Sequence, residues 1–215
     1  KTDYREYIQT ELKDILQKGE KYRLSFYTSL SEYSSGSVAT IGGLYTDRCL
    51  TILPCTDGGY LLGGESGSTI SGDKSQNPKG KEDFWLVKID SIGNILWDKT
   101  IGGSENESLF VILNSHDGGY ILGGYSFSNI SGDKSQNSNG LNDYWIVKTD
   151  SIGNLKWDKT YGGSKSEQLF DMIHSHDGGY ILIGNSNSPI SVDKTQNSDN
   201  IDFWIVNIDK GGSIA

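Results

Sequence analysis

A four-residue signal, Asp57-Gly58-Gly59-Tyr60, returns at 117–120 and again at 177–180, each time 60 residues further on. Ile41-Gly42-Gly43, Ile101-Gly102-Gly103 and Tyr161-Gly162-Gly163 keep the same step, and 36 of 60 positions are identical between the first two copies. The third copy is one residue shorter between Asn197 and Asp202, because Trp145 aligns with Trp204. A fixed period of this length makes each copy one supersecondary unit that buries its apolar face only against its neighbours. The chain therefore divides into copies at 41–100, 101–160 and 161–215, preceded by a segment, 1–40, that does not share the repeat.

The second copy shows the strands most plainly. Residues 109–114 form an apolar run rich in β formers, and His116-Asp117-Gly118-Gly119 follows as a turn, since paired glycines accept positive φ without steric cost. Residues 120–125 return, a polar loop covers 126–142, and 143–149 opens another strand with the apolar run Tyr144-Trp145-Ile146-Val147. Ser151-Ile152-Gly153-Asn154 then turns the chain into 155–160. Two hairpins per copy predict an all-β fold, a β-propeller-like array of four-stranded units, with a stacked β solenoid as the alternative. A closed propeller takes at least about four blades, so three copies imply that the chain is a fragment, or that the ring is completed by another segment or by oligomerisation.

The segment 1–40 reads differently. Tyr4, Ile8, Leu12, Ile15 and Leu16 fit a helical stripe, while Tyr7-Ile8-Gln9-Thr10 also fits a strand, and 22–30 alternates apolar with polar as a half-buried strand does.

The formal net charge of −9 sets the chain against phosphate, which disfavours nucleic acid and anionic membranes as partners. No stretch reaches the ~18 apolar residues of a membrane span, and no signal peptide is visible at Lys1. Cys49 and Cys55 are the only cysteines, and along an extended strand their separation is roughly 20 Å, beyond disulfide reach. Two free thiols are expected. Cys49 aligns with Leu109 and Leu169, which predicts a core position, and Cys55 aligns with Ser115 and Ser175, which predicts an exposed one.

Asp57 to Gly64, Asp143 to Lys148 and Asp150 to Trp157 carry a pattern, Asp-Gly-Gly-Tyr-(Leu/Ile)-Leu-Gly-Gly, Asp-Tyr-Trp-Ile-Val-Lys and Asp-Ser-Ile-Gly-Asn-Leu-Lys-Trp, that recurs over about 175 residues. It resembles the repeats of large exported and cell-surface proteins of Bacteroidetes associated with type IX secretion. The resemblance implies a secreted or surface location and a propeller. Residues 7–12 with 18–27 resemble part of a jelly-roll module from the same bacteria, similar to carbohydrate-binding domains.

Oxygen side chains at alternate positions begin each long loop: Asp73, Ser75 and Asn77; Asp133, Ser135 and Asn137; Asp193, Thr195 and Asn197. Such spacing lets alternate residues converge on one cation, and Asp83, Asp143 and Asp202 offer a further carboxylate before the next strand. Ca2+ is the cofactor this pattern suggests, although position 6 lacks Gly and position 12 holds Phe84 or Tyr144 instead of Glu. The alternative is that Asp and Asn here build side-chain turns.

Catalysis finds less support. Acid–base chemistry needs carboxylates or nucleophile and base in distinct roles, whereas nearly every prominent Asp recurs in all copies and so marks scaffold. His174 alone among the histidines departs from the repeat, aligning with Asn114, and the sequence names no partner for it. The tryptophans at 85, 97, 145, 157 and 204, with Tyr60, Tyr120 and Tyr180, hold fixed strand positions and are expected in the core, with stacking platforms for sugars as the alternative. Function is expected where the copies disagree, at Glu65, Tyr125 and Asn185 and at the loop tips 79–82, 139–142 and 198–201. The expected role is a non-catalytic binding or adhesion module for glycan or protein, against a structural spacer or a fragment of a glycan-active enzyme.

Overall fold

Each Asp-Gly-Gly turn closes its hairpin as its residues require. In the structure, a computed structural model that describes residues 41–43 and 45–215, Gly58, Gly118 and Gly178 take φ of 82°, 86° and 87°. The Asp before each accepts a hydrogen bond from the second glycine's N–H, at 2.9 Å for Asp57 and 3.2 Å for Asp117 and Asp177. A side chain at the middle position would carry the left-handed strain that only glycine escapes.

The strands so joined are β1 (Asp47–Pro54), β2 (Tyr60–Ser66), β3 (Asp83–Ile89) and β4 (Ile95–Ile101) in the first copy. The second holds β5 (Glu107–Asn114), β6 (Tyr120–Ser126), β7 (Asp143–Thr149) and β8 (Leu155–Tyr161). The third holds β9 (Glu167–His174), β10 (Tyr180–Ser186) and β11 (Asp202–Ile208). Every pairing between these strands is antiparallel and joins neighbours in sequence, giving three meandering sheets; single parallel bridges, Glu82 with Asn106 and Asn142 with Ser166, link one copy to the next, and no helix occurs among the described residues. The protein is all-β. Four strands form in the first two copies and three in the last, where one bridge between Ile208 and Ile214 starts a further pairing. The jelly-roll-like reading of 1–40 falls outside the described residues.

β3 and β7 are buried along their whole length, as their continuous apolar runs suggest, and β7, in the middle sheet, has a sheet packed on each face. Between the first and second sheets Leu61, Phe84 and Leu86 meet Leu109, Ile112, Leu122, Trp145 and Val147. Between the second and third, Ile121, Tyr144 and Ile146 meet Leu169, Met172, Leu182, Trp204 and Val206. The first strands β1, β5 and β9 lie next to one another along the array. Gly63 and Gly123 let this happen: a methyl group at Gly63 would stand 2.5 Å from Ile112 Cδ1, and one at Gly123 2.9 Å from Leu169 Cδ2.

The recurring Trp and Tyr residues are core, as expected: Trp85, Trp145, Trp204, Tyr60, Tyr120 and Tyr180 are buried, and Trp97 and Trp157 pack against the core from its margin. The cysteines are both free; Cys49 packs against the core of the first sheet as its alignment suggests, but Cys55 is not exposed. Cys55 is buried, with its thiol 3.7 Å from the Tyr120 hydroxyl, and Cys49 is half-buried. The hairpin between β1 and β2 folds Cys55 under the neighbouring sheet's Tyr120, a contact that no single-copy alignment encodes.

Candidate functional site

The first strand of every copy carries a β-bulge at the same place, leaving Leu50, Phe110 and Phe170 outside the regular pairing. A bulge inserts one residue and re-aims its side chain. Leu50 and Phe170 are exposed and Phe110 half-buried, so the three bulges place apolar side chains at the surface along neighbouring strands. Phe110 stacks on Tyr125 with ring centroids 5.6 Å apart and meets the edge of Phe170 at 5.5 Å. Tyr125 in turn meets the edge of Phe127 at 6.0 Å. Four aromatic rings from two copies thus form one surface cluster.

The first copy supplies polar groups beside it. Arg48 donates to Glu65, its partner across the β1–β2 ladder, and lies 3.9 Å from Glu82. The bond to Glu65 is the main cause that raises the Arg48 pKa, and Tyr125 acts on the guanidinium in the same direction. Next to this ion pair is an open cleft of 420 Å³ lined by Tyr45, Thr46, Gly67, Lys81, Glu82 and Asn106. Gly67 aligns with Phe127 and Asn187, so the cleft opens where the first copy has no side chain. The Phe127 N–H donates to the Asn106 carbonyl at 3.0 Å, which joins the cleft to the aromatic cluster. Such a pairing of aromatic faces with a few convergent polar groups is the usual composition of a small-ligand site.

Of the three positions singled out by disagreement between copies, Glu65 and Tyr125 therefore belong to one surface. Asn185 stands at the matching position of the third sheet, opposite Gln168, and no bond ties it to the cluster. Arg48, Phe110, Phe127 and Phe170 were not singled out by the sequence. Position 127, where Gly, Phe and Asn alternate between copies, carried the one available signal.

The Asp and Asn oxygens of the long loops are engaged in holding the loops. Asp73, Asp133 and Asp193 accept from the N–H of Gly42, Gly102 and Gly162 at 3.3, 3.1 and 3.1 Å. Asn77, Asn137 and Asn197 accept from the N–H of Ile70, Ile130 and Ile190 at 3.0, 3.1 and 2.9 Å. Ser75 and Ser135 donate their N–H to Asp98 and Asp158, each at 3.0 Å, while Thr195 lies in the matching loop. No group of three or more His, Cys, Asp or Glu side chains able to hold a metal ion occurs among the described residues.

Asp83 and Asp143 do something else. Both are fully buried, and each meets a buried carboxyl group of the next copy, Glu107 or Glu167. Burial raises both aspartates to about 7, and the facing glutamate adds to the shift. Each keeps one oxygen, Oδ1, without a hydrogen-bond donor. Asp202, the third member, is exposed. His174 gains the partner that the sequence could not name: His116 of the neighbouring copy, with ring centroids 5.0 Å apart.

No protein-family model matches the chain, and no curated protein matches it either.

Proposed function

We propose that this protein is a non-catalytic, secreted or cell-surface binding module, that its sheets form a propeller-like array, and that it recognises glycan through the surface built by Tyr125, Phe110, Phe127 and Phe170. The single supporting observation is that cluster, placed beside the Arg48–Glu65 pair and the adjoining cleft at positions where the copies differ. Aromatic faces take the apolar faces of sugar rings while nearby polar groups take hydroxyls. The deeply buried Asp83–Glu107 and Asp143–Glu167 pairs support the non-catalytic part, because neither can meet a substrate without opening the interface between sheets.

A glycan array probed with the wild type and with Tyr125→Ala and Phe127→Ala tests this reading. Bound glycans are expected, with affinity reduced about tenfold or more by either substitution, which is ~1.4 kcal/mol each. Retained binding by both variants would move the site elsewhere. An array blank for glycans but capture of a purified surface protein through Tyr125 would favour a protein ligand. Chelation is expected to leave binding and the thermal midpoint unchanged, since the loop carboxylates and amides already accept backbone hydrogen bonds. A calcium-dependent rise in midpoint would instead make Asp73, Asp133 and Asp193 cation ligands.

A further inference from the structure

The two interfaces between sheets are built alike. Phe84 on β3 packs against Trp145, and Tyr144 on β7 against Trp204, each with ring centroids 4.9 Å apart. Leu86 and Ile146 lie beside them without any exposure. The third sheet presents the same two positions as Phe203 and Ile205, and these are 85% and 61% exposed. The register pairs Ile183 with Ile205 and Ile181 with Ile173, which puts these side chains on one face with Phe203. Ile173 and Ile183 are exposed there too. An apolar face of this extent marks an interaction surface.

We propose that this face docks a further four-stranded unit of the same repeat, whose third strand lays a tryptophan over Phe203 as Trp145 lies over Phe84. Continuity with the two existing interfaces carries the inference, and one difference refines it. At Gly63 and Gly123 the neighbouring sheet comes close enough for Leu109 and Ile112, or Leu169 and Met172, to fill the glycine's space. Ile183 occupies that space in the third sheet. The docking unit therefore carries small side chains where Leu109 and Ile112 stand, so that bulk on one side is matched by a gap on the other. Asp171, which replaces Val111 on the same face, asks for a polar or cationic neighbour in place of an apolar one. This surface shares no residue with the aromatic cluster, and loss of glycan binding would leave it untouched.

The test extends the full chain after Ala215 with a second copy of residues 97–161, in which Leu109→Ala and Ile112→Ala have been made. Hydroxyl-radical footprinting then reads Phe203 and Ile205. Oxidation of both is expected to fall at least fivefold relative to the unextended chain, and by less when the appended copy keeps Leu109 and Ile112. A short extension with residues 97–103 alone completes the strand beside β11 and is expected to leave Phe203 oxidised. A second host, carrying Ile183→Gly and the unmodified copy, restores the geometry of the existing interfaces and is expected to protect Phe203 equally. Full oxidation of Phe203 both with the Ala-substituted copy and in the Ile183→Gly host would overturn the proposal, as would protection by the short extension. It would also fall if the unextended chain doubled its mass on concentration and protected Phe203 by itself, which would make a second copy of this chain the occupant.

Discussion

The Asp143→Asn variant is expected to unfold at a higher temperature than the wild type at about pH 8.5, and at nearly the same temperature at about pH 4.5. Asp143 is fully buried against Glu167, which already accepts from Ser186 at 2.6 Å and from the Gly163 N–H at 2.8 Å. Asp143 Oδ1 has no donor. A proton on Asp143 turns that oxygen into a donor to Glu167, so one shared proton satisfies the pair. Burial raises the Asp143 pKa from 3.8 to about 7. A group whose folded pKa lies above its unfolded value stabilises fully below the unfolded pKa, and that contribution is lost as pH rises through the folded one. The window therefore runs from about pH 4 to about pH 7, with the wild type at its weakest above it.

Asparagine offers the same donor without ever ionising. The difference between variant and wild type should grow through that window to roughly 2–4 kcal/mol, or about 5–10 °C in midpoint. Lys134, which faces Asp143, Asp158 and Glu107, is pushed down to about 8 by burial, so it loses its charge just above the window and stops offsetting the anions. Asp202→Asn is the control, because the exposed third member faces no glutamate and its substitution should change nothing at either pH. Differential scanning calorimetry at the two pH values decides the matter. Equal midpoints for Asp143→Asn and wild type at high pH would show that the interface does not hold the proton.

The hairpins were legible because their chemistry is local. An Asp that caps its own turn and a glycine that supplies positive φ act within four residues, so reading one copy locates the strands of all three. Strand 143–149 was legible to the residue, since a run buried on both faces has no alternation to blur its ends. What lies between copies was not legible. That Cys55 reaches Tyr120, or that His116 and His174 stand together, depends on how one sheet lies on the next, and that geometry rests on the absence of a side chain at Gly63 and Gly123. The alternate oxygens of Asp73, Ser75 and Asn77 look the same whether they await a cation or a backbone N–H, and the structure engages Asp73 and Asn77 with backbone N–H groups. Of the surface cluster, disagreement between copies found Tyr125 but not Phe110 or Phe170. A bulge adds no residue type of its own, and in a run such as Leu109-Phe110-Val111 nothing marks which side chain leaves the ladder.

The second large effect is expected at Trp145, and it separates the two roles that aromatic residues play in this chain. Trp145 is among the largest fully buried side chains and fills the space between the first and second sheets against Phe84, Leu109 and Val147. Its Nε1–H donates to Asp158 Oδ2 at 2.9 Å, and the Lys134 ammonium stands 6.0 Å from its ring. Trp145→Ala empties that space and removes the indole donor from the Asp158 carboxylate, so a loss of about 3–5 kcal/mol is expected. Trp145→Phe keeps most of the apolar volume and removes the indole N–H, and about 1–3 kcal/mol should go. Phe203→Ala, in a ring position that is 85% exposed, should fall within about 0.5 kcal/mol of wild type. Urea unfolding followed by circular dichroism measures all three. Binding tested on the folded fraction should run in the opposite order to stability: intact for Trp145→Phe, weakened about tenfold or more for Tyr125→Ala. If Trp145→Ala kept full stability and lost its ligand instead, the recurring aromatics would be the recognition surface and the bulge cluster mere exposed bulk. The burial of Trp145 on every side, with its one polar atom committed to Asp158, argues for the first outcome.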